Sequence, residues 1–263
     1  MCYTILGDKM EKKSKKEKGT GFGDNLGWLI LYLVLNGICT APLIMATALK
    51  NAKLPEGKEV ALEPAITFFN NNGPLISFIL LFILLLFVIL KKKSVLVEDI
   101  KKFKKDKKRN IIYTIIGAIV LTGIGILLPI LREHLFSSEM SANQAGLASV
   151  INDKTPLYSL VSYFLILSIV IPMLEEIFCR LNFRKSFKTI TMFIIITSLL
   201  FGMLHMTNAS LSISFIYDLF MYSSMGACLG YVYYKTDSIC SSMIMHILNN
   251  SLSVIIMILP FIK

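Results

Sequence analysis

The sequence predicts an all-α fold, a polytopic bundle of about seven membrane-spanning helices, and three observations predict it. Of the 263 residues, 55% are hydrophobic and only 17% are charged, with a mean hydropathy of +0.68, whereas soluble domains carry roughly 25% charged residues. The apolar residues come in long blocks instead of alternating with polar ones, which excludes the strands of a membrane barrel and the usual make-up of a soluble core. Most of the basic residues sit between these blocks, where topology and lipid headgroups call for them.

Seven blocks of spanning length lie at about 27–49, 74–91, 111–131, 158–180, 189–207, 211–234 and 238–260. Backbone polar groups in lipid must be satisfied within their own segment, so each block is expected to be a helix. The N-terminal tail holds six Lys between Lys9 and Lys18. The apolar stretch after it is too long for the core of a cleavable signal and lacks an A-x-A site, so it is expected to be a retained anchor. With seven spans, 20 Lys and Arg residues fall on one side and six on the other, leaving aside the intramembrane Arg180. By the positive-inside rule the N-terminus is then cytoplasmic and the C-terminus outside. The expected organisation is a basic cytoplasmic tail over 1–26, three spans with a basic cytoplasmic loop over 27–157, and a four-span core over 158–263.

The formal net charge of +10 argues for a lipid-bilayer partner and against nucleic acid, because the charge is laid out by topology. Lys101–Arg109 (KKFKKDKKR) is expected to be a loop on anionic headgroups. Cys2, Cys39, Cys179, Cys228 and Cys240 are scattered without a CxxC pair, which fits packing residues and neither a disulfide framework nor a zinc knot. Tyr231-Val232-Tyr233-Tyr234 is expected to form an aromatic belt at the membrane face. Pro172 is expected to kink its span, for packing or to open room beside it.

Ionisable side chains inside spans are costly, so each is a candidate functional residue. The fourth block carries Glu175, Glu176 and Arg180, the fifth ends in Phe201-Gly202-Met203-Leu204-His205, and the seventh carries His246, Asn249 and Asn250. Glu176 and Arg180 are four apart with the acid first, the favourable order for an ion pair. Glu175 is turned about 100° away and faces elsewhere. His246 and Asn250 share a face, while Asn249 is expected in a packing contact. Counting from Lys188, Glu175 and His205 lie roughly 20 Å and 26 Å along their helices, and His246 lies roughly 15 Å from the Thr236 connection, so the three can meet at mid-membrane. Asp218 belongs to no motif and is expected near the outer interface or beside a polar neighbour.

The run EExxxR, FxxxH and HxxxN, in that order on successive spans over about residues 158–254, resembles the CPBP family of intramembrane proteases. That family includes the CAAX prenyl endoproteases and the bacterial Abi-type, bacteriocin-related proteins. Carried over by position, the resemblance makes Glu175 the essential acid, with Glu176 and Arg180 its neighbours, His205 the second-motif residue, and His246 and Asn250 the third. The family often has Phe before the Arg and Gly after it, where this chain has Cys179 and Leu181.

The resemblance implies an intramembrane endopeptidase acting on a peptide or small membrane-protein substrate. Glu175, helped by His205, would activate water, and His246 and Asn250 would stabilise the oxyanion. No cofactor is favoured. A zinc variant would use Glu175, His205 and His246, although the HExxH motif is absent. Bland readings stand beside these: a purely structural Glu176–Arg180 pair, and histidines satisfied by packing. The competing function class is a non-catalytic bacteriocin self-immunity or scaffold protein. Transport is disfavoured by the lack of an inverted repeat and of paired broken helices.

Overall fold

A computed structural model describes residues 21–51, 60–136, 140–206 and 211–262. They form α1 (Phe22–Lys50), α2 (Glu63–Lys105), α3 (Lys107–Phe136), the short α4 (Ala142–Ala148), α5 (Leu157–Leu181), α6 (Ile190–Leu204), α7 (Ile213–Thr236) and α8 (Ile239–Ile258). All seven expected blocks fall on helices, and no strand occurs among the described residues. Five helices (α1, α2, α3, α5 and α8 with its closing 3₁₀ turn) are long and apolar enough to cross a membrane. The apolar α6 has 15 residues, or about 22 Å, short of the roughly 30 Å hydrocarbon layer. The basic N-terminal tail and Cys2 lie outside the described residues.

The second block is longer than its apolar stretch. Instead of a loop over Lys91–Arg109, α2 runs on for 43 residues, about 64 Å, and only Asp106 separates it from α3. Lys, Leu and Glu are strong helix formers, and no Gly or Pro occurs between residues 75 and 116, so nothing stops the helix where the hydropathy falls. Asn110, 1% exposed, donates to the Phe103 carbonyl at 3.1 Å and satisfies the end of α2. The basic extension is also a structural brace. Asp99, 5% exposed, accepts from Ser238 Oγ at 2.8 Å and from the Cys240 amide at 3.3 Å. It therefore caps the N-terminus of α8, a position where a carboxylate meets free N–H groups and the positive end of the helix dipole. Lys102 reaches Asp237 at 3.1 Å, and Arg109 donates to the Lys235 carbonyl at 2.6 Å, both on the α7–α8 turn.

Two further expectations are refined. In the Tyr231–Tyr234 cluster only Tyr231 and Tyr234 face outward, at 47% and 36% exposed, while Val232 and Tyr233 are buried. Successive helical positions point in different directions, so four consecutive residues cannot all form a belt. Asp218 has the polar neighbour that is one of its two expected settings: it is buried and takes Arg132 Nε at 2.6 Å and Nη2 at 3.3 Å. The pair ties α3 to α7. The thiols of Cys39, Cys179, Cys228 and Cys240 are free.

Helices approach closely where a side chain is missing. A Cβ on Gly73 would collide with the backbone carbonyl of Pro42, so α1 and α2 cross in contact there. A Cβ on Gly226 would sit 3.1 Å from Ser198 Cα and 3.2 Å from Phe201, which brings α7 against α6. In a bilayer such small-residue contacts replace the hydrophobic drive that holds soluble helices together.

Gly73→Ala is expected to lower stability in detergent by about 1–3 kcal/mol, because backbone and not a flexible tip blocks the new methyl. Gly123→Ala, which meets nothing within 4 Å, serves as the control in the same thermal-melt assay. Asp218→Asn is expected to cost about 1–3 kcal/mol by weakening the buried two-point contact with Arg132.

Candidate active site

The site is organised by an irregular α5. Residues Ile166–Val170 and Ile177–Leu181 form two π-helical turns on either side of the α-helical Ile171–Glu176. The first turn has a local cause. The Ile171 amide bonds back five residues to the Ile166 carbonyl, and the next residue, Pro172, has no N–H to give the Leu167 carbonyl. Asn250 Nδ2 on α8 fills the vacancy and donates to Leu167 O at 3.1 Å. In the second turn the Asn182 amide reaches the Ile177 carbonyl at 3.0 Å. Such π-bulges re-aim side chains and recur at functional sites. Here they bracket the two adjacent acids.

Glu176 is fully buried and saturated with partners. Its Oε1 accepts from Arg180 Nη1 at 2.7 Å and from His246 Nδ1 at 3.0 Å, and Ser242 Oγ bonds to its Oε2. Arg180 is itself 0% exposed, reaches the Gly226 carbonyl at 3.4 Å and lies 4.4 Å over the Phe201 ring. Cys179 beside it is 0% exposed, so the departure from the family's usual flanking residues leaves the Arg closely packed.

Glu175 stands apart from this clamp. Its Oε2 lies 3.7 Å from His246 Nε2, and its side chain is 10% exposed. His205 forms the C-cap of α6, at the end of a helix too short to cross the bilayer. Its Nδ1 lies 2.9 Å from the Phe201 carbonyl. A carbonyl only accepts, so Nδ1 carries the proton and Nε2 is left free. The same logic applies to His246: Nδ1 donates to Glu176, and Nε2 faces Glu175. His246 therefore presents Nε2 to Glu175, and in His205 Nε2 is the nitrogen left for a further partner.

Phe201 joins the three motif pieces. Its ring centroid lies 4.7 Å from that of His205 and 5.6 Å from that of His246, and Arg180 covers it. Glu175, Glu176, Arg180, His205 and His246 are thus gathered by α5, α6 and α8, while Asn250 sits one turn along α8 on the Leu167 carbonyl. Asn249 Nδ2 donates to Asn250 Oδ1 at 3.4 Å.

Three contributors were not singled out in the sequence. Ser242 lies four residues before His246, so the helical spacing 242–246–250 carried a signal for it. Tyr222, stacked on His205 with centroids 4.5 Å apart, and Tyr32, stacked on Phe178 at 4.5 Å, come from other helices and left no local trace.

A metal would need its ligands aimed at one point. Among the described residues no three His, Cys, Asp or Glu side chains are so gathered. Glu175, His205 and His246, as placed, do not fit a coordinated zinc.

No curated protein matches the chain, and no solved structure does. Residues 157–252, the stretch that supplies every side chain of the Glu–Arg–His cluster, match the family model of type II CAAX prenyl endopeptidase Rce1-like proteins, almost the span over which the motifs resemble the CPBP intramembrane proteases.

Proposed function

We propose that this protein is an intramembrane endopeptidase in which Glu175 activates the hydrolytic water. One observation carries the proposal: of two adjacent buried acids, Glu176 is bonded by three side chains while Glu175 is left outside that clamp, 3.7 Å from His246 Nε2. A largely buried carboxylate that is not held in an ion pair with Arg is suited to take a proton from a water molecule. The water oxygen bonds to the scissile carbonyl carbon as Glu175 accepts the proton. When the C–N bond breaks, that proton passes to the departing amine. His205, its Nδ1–H on the Phe201 carbonyl, orients the water through Nε2. His246, oriented through Nδ1 by Glu176, is the α8 imidazole placed to stabilise the developing oxyanion. Asn250 uses one amide N–H on Leu167 and has the second for the oxyanion.

The 157–252 match makes prenylated CAAX-type peptides one substrate class for testing. A leader peptide or small membrane protein is the other. The basic tail and the Lys91–Arg109 extension would lie on the cytoplasmic side.

The test is cleavage, by purified protein in liposomes, of fluorogenic peptides, some prenylated at a C-terminal CAAX cysteine and some unprenylated and membrane-spanning. Glu175→Gln is expected to lower kcat about 10²–10⁴-fold at normal expression. His205→Ala is expected to lower it similarly, and a chelator is expected to leave it unchanged. Unimpaired biological function in both variants would instead identify a non-catalytic immunity or scaffold protein.

Glu176→Gln has a different expected phenotype. It leaves Arg180 unpaired in a site with no exposure, so stability falls by about 3–5 kcal/mol, read as loss of the monodisperse peak in detergent. Ser242→Ala removes one bond to the same carboxylate and is expected to cost about 1–3 kcal/mol in thermal melts.

A further inference from the structure

His205 is the least supported of the residues gathered at the site. It ends a 15-residue helix, and residues 207–210 beyond it lie outside the described structure. From its own helix the imidazole has the Nδ1 contact to the Phe201 carbonyl and the tilted Phe201 ring at 4.7 Å. A further restraint comes from α7. The Tyr222 ring lies parallel to His205, with centroids 4.5 Å apart and planes 19° apart.

Tyr222 is in turn fixed at both ends. Its hydroxyl lies 2.9 Å from Ser141 Oγ and 3.3 Å from Asn143 Nδ2. The Asn143 Nδ2 donates to the phenol oxygen, and a hydroxyl–hydroxyl bond joins that oxygen to Ser141 Oγ. Ser141 Oγ also accepts from the Gln144 amide at 3.3 Å as the N-cap of α4. One turn before Tyr222, Asp218 holds Arg132 of α3 in a buried two-point contact, and this sets the height of α7. The phenol is 7% exposed and Ser141 is 1% exposed. These groups are neither part of the Glu–Arg–His cluster nor explained by it.

We propose that Tyr222 is a positioning residue for His205: its ring is the platform that sets the imidazole plane, and the Ser141–Asn143 turn locks that platform through the phenol. The inference rests on the proposed role of His205. The chain connecting α3 to α5 thereby acquires a part in the chemistry, because the turn that caps α4 also determines where His205 Nε2 points. Stacking restrains rotation without consuming a ring nitrogen, so Nδ1 keeps its carbonyl and Nε2 remains available.

Two measurements test this together. The chain has three histidines, of which His134 is exposed, so the imidazole C–H spectrum of the protein in detergent is sparse, and His205→Gln assigns its own peak. The ring current of Tyr222 is expected to hold the His205 resonance upfield. Tyr222→Leu moves it downfield toward His134, and Tyr222→Phe keeps it near its place. In kinetics, with the liposome peptide cleaved fastest by the native protein, Tyr222→Leu is expected to lower kcat about 10- to 100-fold with KM changed by less than about twofold. Tyr222→Phe recovers all but about threefold of that loss, and Ser141→Ala with Asn143→Ala, which leaves every α7 residue unchanged, matches Tyr222→Phe. In a His205→Ala background Tyr222→Leu is expected to add nothing, because the two act as one unit. An unmoved His205 resonance in Tyr222→Leu, or a full additional loss in the His205→Ala background, overturns the inference. If His205→Ala itself leaves kcat intact, the proposed role of His205 falls while the endopeptidase reading stands, and the resonance alone then decides whether Tyr222 holds the ring.

Discussion

The carboxylate of Glu176 is the point on which the rest of the site depends. A charge with no exposure to water is tolerated only when paired and fully hydrogen-bonded, and Glu176 has Arg180, His246 and Ser242 around it. Meeting that demand draws α5 and α8 together through His246 and Ser242. Arg180 extends the contact to α7 through the Gly226 carbonyl and to α6 through the face of Phe201. Four helices are thus held by one ion. The bilayer offers no water to any partner that lets go, so the arrangement is far more costly to open than a surface ion pair.

The same constraint explains why the neighbouring acid is free. Two consecutive residues on a helix point about 100° apart, so a clamp on Glu176 cannot also occupy Glu175. The π-turns on either side of the pair adjust the direction of α5 without unwinding it, and each backbone group that they release needs a substitute donor. Asn250 is the clearest case: it answers the missing N–H of Pro172. A residue that the motif assigns to the chemistry thereby also holds the helix that presents the acids.

Support also comes from regions without a recognisable motif. The basic end of α2 caps α8 through Asp99, so the helix bearing His246 starts at a height fixed by a different helix. The buried Arg132–Asp218 pair does the same for α7. The glycine contacts at Gly73 and Gly226 bring backbones close enough for these short-range polar groups to meet. The first three long helices, each long and apolar enough to cross a membrane, therefore also brace the 157–252 stretch.

By itself the sequence determined the helical class, the seven apolar blocks and the Glu176–Arg180 pairing, because these follow from local quantities: hydropathy over a window and the 3.6-residue period along one helix. It also placed Glu175, His205 and His246 within reach of a common depth by counting residues. Only the tertiary structure decided that α2 continues through the basic stretch as a brace, that Asp218 pairs with Arg132, that Ser242 completes the clamp and that Tyr222 stacks on His205. Each of these joins residues far apart in the chain, and helix periodicity fixes which way a side chain points along its own axis but not which neighbouring helix lies opposite. That choice belongs to the packing of the whole bundle, where close backbone approach and the satisfaction of buried charge are met together.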